Sequence, residues 1–163
     1  GHMDEVFAQA VAEAVLYERH GCNALIIENF NDAPFYPGQV PHETTAAMAA
    51  ISREVKNQIQ IPLGINVLRN DAHAALAIAA AVDAEFIRVN VHIAAVVADQ
   101  GLIQGLAHET LRLRRALGSS ALIFADVGVK HAAPLVDRGL ALETRDLSKR
   151  GGADAIIVSA QRS

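Results

Sequence analysis

Apolar residues run through the chain in two alternating rhythms. Over residues 4–20, Phe7, Val11 and Ala14 recur at helical spacing and Gly21 supplies a stop, which predicts an opening helix. Residues 24–28 are a short, nearly continuous apolar run, the pattern of a strand buried on both faces. A proline-containing loop over 29–41 leads to a second helix at 43–58, with Met48, Ile51 and Val55 on one side. The rhythm then repeats. A strand is predicted at 63–68, a helix from near Asp71, a strand at 85–91, a helix at 102–117 and a strand at 121–129, then a helix at 137–150 and a strand at 154–159. Residues 18–27 and 148–157 echo each other, each a charged helix end, a glycine stop and an apolar strand.

Five helix–strand units without a hairpin signal predict an α/β fold with an all-parallel, five-stranded sheet and right-handed crossovers. Two architectures satisfy that pattern: part of a (βα)8 barrel of the TIM type, or an open doubly wound sheet. The chain has 163 residues, short of the roughly 250 of a complete barrel.

Composition narrows the function classes. Hydrophobic residues make up 52% of the chain and tryptophan is absent, which suits layered packing around a sheet. The formal charge is −4 with no basic block, so the electrostatic footprint of a nucleic-acid binder is missing. A single cysteine, Cys22, rules out an internal disulfide. No apolar stretch reaches the roughly 18 residues of a membrane span. Gly1-His2-Met3 reads as a cloning scar, with residues 4–163 as one domain.

In either architecture ligands bind at the carboxyl ends of the strands, and those ends are polar here. By the period of two, Phe86, Arg88 and Asn90 share one strand face, Gly64 and Asn66 another, and Asp126, Gly128 and Lys130 a third. A charge on a buried strand needs a partner or a ligand, so Arg88 and Asp126 predict either an ion-pair network or a catalytic pair. Glu28 and Asn29 end the first strand, where Glu28 is placed for a general base, or to pair with Arg88 or Arg69. Lys130 is a candidate anion holder or amine nucleophile, and His131 a candidate proton carrier. Arg69 is the better anion candidate of its segment. Asn70 and Asp71 join it as ligand candidates, although Asp71 before an alanine-rich helix reads first as an N-cap. Asp99, Gln100 and Ser159 complete the ligand-binding set, with Asp99-Gln100-Gly101 also readable as a capped turn ahead of a helix. His42, His73, His92 and His108 share no metal-ligand spacing, so no metal site is expected, and no cofactor is specified.

Several of these motifs, in order, resemble the BtpA family. They are Ile27-Glu28-Asn29-Phe30-Asn31-Asp32-Ala33-Pro34-Phe35, Pro62 through Asp71, Phe86 through Val91, Asp99-Gln100-Gly101 and Val129-Lys130-His131-Ala132. The resemblance implies a phosphate-binding type of TIM barrel, of which this chain would carry the second to sixth strands, lacking the first strand and the last two strand–helix units. Open barrel edges of that kind predict self-association. The resemblance also implies a role in photosystem I biogenesis or stability, with photosystem I assembly factors or the thylakoid membrane as partners. The protein would then be peripheral on the cytoplasmic side of the thylakoid, and otherwise cytoplasmic. The enzyme alternative is a barrel acting on a phosphorylated sugar or nucleoside, and a third reading is an inactive barrel fragment. Where the family carries a Thr-Gly turn this chain has Ile93-Ala94, and it has Gly128 in place of a histidine.

Overall fold

The computed structural model describes residues 2–159. The elements run α1 (His2–Arg19), β1 (Leu25–Glu28), α2 (His42–Lys56), β2 (Leu63–Asn66), α3 (Ala72–Val82), β3 (Phe86–Val89), β4 (Ala95–Ala98), β5 (Gly101–Gln104), α4 (Ala107–Ala116), β6 (Leu122–Val127), β7 (Ala132–Pro134), α5 (Leu140–Lys149) and β8 (Ala155–Val158). A 3-10 turn at Phe30–Asp32 follows β1. Helix α1 includes positions 2 and 3. Residues 160–163 lie outside the described residues.

The main sheet has five parallel strands in the order β1-β2-β3-β6-β8. Each new strand joins beside the one before it and the order never reverses. This is the order of a barrel segment, and the described strands contain no switch point of the doubly wound kind. Strands β1 and β8 are its two edges.

One face of the sheet is apolar and covered by helices. Leu63, Ile65, Ile87 and Ile123 are fully buried there, each worth about 1.5–3 kcal/mol of burial. Helix α3 packs against β2, β3, α2 and α4 together, which is why a sequence of alanines with Leu76, Ile78 and Val82 has almost no polar side. The other face carries Glu28, Asn66, Arg88 and Asp126 at successive strand positions. Deeper on that face, the Phe86 ring lies over Gly64, where a Cβ would come within 2.2 Å of Cε2. Phe86 also stacks on Phe124 with centroids 4.5 Å apart. Only glycine at 64 leaves room for that aromatic layer.

The segment between β3 and α4 departs from the sequence expectation of a hairpin-free chain with a helix starting at 102. Residues 95–104 form a hairpin in which β4 and β5 pair antiparallel, and β7 adds to the other edge of β4. Asp99 and Gln100 form its turn, followed by Gly101 at φ +93°, and this corrects the reading of a capped turn before a helix. Burial alternates as in a strand, with Ile103 buried and Leu102 half-exposed. Gly105 then presses on the chain at His92–Ile93, where a Cβ would lie 2.4 Å from Ile93 Cα, so the helix begins only after Leu106. Ala94 adopts φ 58°, a left-handed conformation that favours glycine, at the position where the family pattern has one. Helix α5 likewise starts at Leu140 and not at 137, because Gly139 turns at φ 75° and Asp137 Oδ1 accepts the Gly139 N–H at 2.9 Å.

Candidate functional site

The polar face of the sheet ends in a connected network. Arg88 donates to both oxygens of Asp126, from Nε at 2.9 Å and Nη2 at 2.8 Å, and from Nη1 to Glu28 Oε1 at 3.0 Å. Asn90 donates to Asp126 Oδ2 at 3.0 Å, and Asn66 donates to Asn90 Oδ1 at 3.1 Å and to the Arg88 carbonyl at 2.9 Å. The hydrogen bonds to Asp126 raise the Arg88 pKa against the opposing effect of burial, with Glu28 adding to the rise. Three strands thus share one guanidinium between two carboxylates.

Arg69, just beyond β2, is answered differently. It is buried to 8% exposure, and its Nη2 donates to the Lys130 carbonyl at 2.6 Å. Among the described residues it has no salt bridge to a carboxylate. Burial lowers its pKa, the more distant Asp99 and Asp126 oppose that, and Arg88 reinforces it.

Asparagines fix the segment that presents this arginine. Asn29 accepts the Leu68 N–H at 2.7 Å and donates to the Leu68 carbonyl at 3.3 Å. Asn70 does the same to Val91, accepting from its N–H at 2.8 Å and donating to its carbonyl at 2.9 Å. Asp71 caps α3 by accepting the Ala74 N–H at 2.9 Å, and its other oxygen takes the Val40 N–H at 2.8 Å. Asn70 and Asp71 spend these polar atoms on backbone groups, and Asn29 Nδ2 also donates to Asp32 Oδ2 at 3.1 Å.

A cavity of about 580 Å³ opens at these strand ends. Of the sequence-derived candidates it brings together Glu28, Arg69, Arg88, Asn90, Asp99, Gln100, Lys130 and His131. Asp99 and Gln100 reach it from the hairpin turn. Asn29, Asn66, Asn70, Asp71, Asp126 and Ser159 do not line it. Lys130 and His131 are exposed, and His131 adopts φ 58°. The sequence reading missed Phe30, Phe35 and Leu68, which complete the wall. The two phenylalanines belong to the motif that follows Glu28, the one signal that could have found them. Among the described residues, no group of three or more His, Cys, Asp or Glu side chains could hold a metal ion.

The fold and site define an α/β protein with a five-stranded parallel sheet in the strand order of a partial barrel, with cations and carboxylates converging on its carboxyl-end mouth. The chain belongs to the BtpA family, whose model matches residues 1–163. It is 48% identical over 159 residues to the photosystem I biogenesis protein BtpA of Synechocystis, an alignment covering 98% of this chain and 55% of that protein. It is 45% identical to an uncharacterized protein of Pyrococcus horikoshii, over all of this chain and 62% of the relative. A mitochondrial uncharacterized protein of Caenorhabditis elegans is 30% identical over 96% of this chain and 59% of its own length. The chain therefore spans a little over half the length of these curated relatives.

Proposed function

We propose that the protein binds a phosphorylated small molecule, a phosphosugar or a nucleoside phosphate, in the cavity at the strand carboxyl ends. The observation that supports this most is Arg69, a buried guanidinium in a cavity wall with no carboxylate paired to it among the described residues. A buried cation with carboxylates near but none in contact is costly, and an anionic ligand removes that cost through charge-assisted hydrogen bonds. Lys130 supplies a second cation at the rim. Asp126 is saturated by Arg88 and Asn90, so Glu28 and His131 are the groups in the cavity wall placed to move a proton if chemistry follows binding. A thermal-shift panel of phosphosugars and nucleoside phosphates tests the reading. Saturable stabilisation by at least one of them is expected, and a flat response across the panel would count against it.

A second reading, a role in photosystem I biogenesis as a peripheral protein on the cytoplasmic side of the thylakoid, rests on the identity to the Synechocystis protein. Nearly equal identity to an archaeal protein weakens any claim specific to photosynthesis. No helix among the described residues is long and apolar enough to cross a membrane. Deleting the gene in a photosynthetic host should lower photosystem I content under this reading, and normal content would end it. The unpaired edges of β1 and β8 support self-association as a further part of the proposal, to be read by light scattering.

A further inference from the structure

Two phenylalanines in the cavity wall have no part in holding an anion. Phe30 is 71% exposed, Phe35 is half-buried, and their rings lie 6.4 Å apart at 54°. Their backbone is fixed. The Asp32 N–H donates to the Asn29 carbonyl at 3.1 Å, Asn29 brackets Leu68, and the Arg69 N–H donates to the Tyr36 carbonyl at 3.0 Å. The loop that carries both rings is thus tied to the segment that carries the guanidinium.

A third group in the same wall points to a donor on the ligand. Gln100 Nε2 donates to Asp99 Oδ2 at 2.6 Å, which sets the orientation of the amide. Its Oε1 is then buried with no hydrogen-bond partner among the described residues.

We propose that the ligand of this cavity is a nucleoside phosphate, its base against Phe30 and Phe35, its phosphate on Arg69 and Lys130, and a base or ribose donor on Gln100 Oε1. This rests on the anion-site reading above and narrows it. A phosphosugar satisfies the two cations and, through a hydroxyl, Gln100, yet leaves both rings facing water. A base covers them, and stacking on phenyl rings accepts any base because each has a π face.

Calorimetric titration of the protein with adenosine monophosphate, guanosine monophosphate, ribose 5-phosphate and inorganic phosphate separates the possibilities. The nucleotides should bind about tenfold or more tighter than ribose 5-phosphate, the factor expected of base–aromatic stacking. Phe30 is exposed, so Phe30→Ala should fold normally, and with Phe35→Ala it should erase the nucleotide advantage while ribose 5-phosphate binding stays within about twofold. Ribose 5-phosphate binding as tightly as the nucleotides, or a nucleotide advantage that survives the double substitution, would overturn the nucleotide proposal and leave the anion site standing. Failure of every phosphate to bind would remove both.

Discussion

Arg88 lies on β3 and Arg69 in the turn just beyond the neighbouring β2, both line the same cavity wall, and their charges are met in different ways. Arg88 is held by two carboxylates on two other strands, with its charged form favoured by hydrogen bonding. Arg69 is more deeply buried and, among the described residues, its side chain hydrogen-bonds only to a carbonyl, with its charged form disfavoured by burial. The first arrangement is complete without a ligand and cross-links β1, β3 and β6. The second is incomplete without one. The contrast separates what holds the mouth together from what the mouth is for, a distinction that residue type alone does not make.

The largest effect should come from breaking the complete network. Asp126→Ala leaves the Arg88 guanidinium partly buried with one partner lost, and should cost about 3–5 kcal/mol in urea unfolding. Arg69→Met removes a buried charge together with a single hydrogen bond. These oppose each other, so stability should change by less than about 1 kcal/mol in either direction. A loss as large as that of Asp126→Ala would mean that Arg69 is structural after all, and the comparison would fail.

His92 sharpens the comparison from another side, since it too is a buried base with no carboxylate salt bridge among the described residues, but one able to release its proton. It is 1% exposed, Nε2 lies 2.9 Å from the Gly151 carbonyl, and burial lowers its pKa from the usual 6.5. Above pH 6.5 both folded and unfolded states hold it neutral. As pH falls below 6.5 the unfolded state takes up the proton first, so stability declines from there down to the lowered folded value. Unfolding followed from pH 7.5 to 5 should show that decline in the wild type and a shallower one in His92→Gln. Parallel curves would show that His92 carries none of it.

Much of this site was legible in the sequence because period-two alternation assigns a face to every strand residue. Phe86, Arg88 and Asn90 on one face follow from spacing alone, and the Asp71 cap from its place before an alanine-rich helix. The pairing of Arg88 with both Glu28 and Asp126 is only one of the alternatives the sequence leaves open. The hairpin did not follow. Ile103, Leu106, Thr110, Leu113 and Leu117 keep helical spacing, and only the contact of Gly105 with the backbone at His92–Ile93 forbids an earlier helix start. That contact joins residues more than ten positions apart, beyond the reach of local periodicity. Phe30 and Phe35 escaped notice because single aromatics in a proline-containing loop have no period, and their place beside Arg69 is set by the Asn29 and Tyr36 hydrogen bonds.

The central claim is that Arg69 waits for an anion. Titrating ribose 5-phosphate and adenosine monophosphate into the wild-type protein and Arg69→Met under identical low-salt conditions tests it most directly. Binding to the wild type should be saturable, and weakened by about tenfold or more in a variant whose unfolding curve is nearly unchanged. Equal binding by both proteins, or none by the wild type, would contradict it.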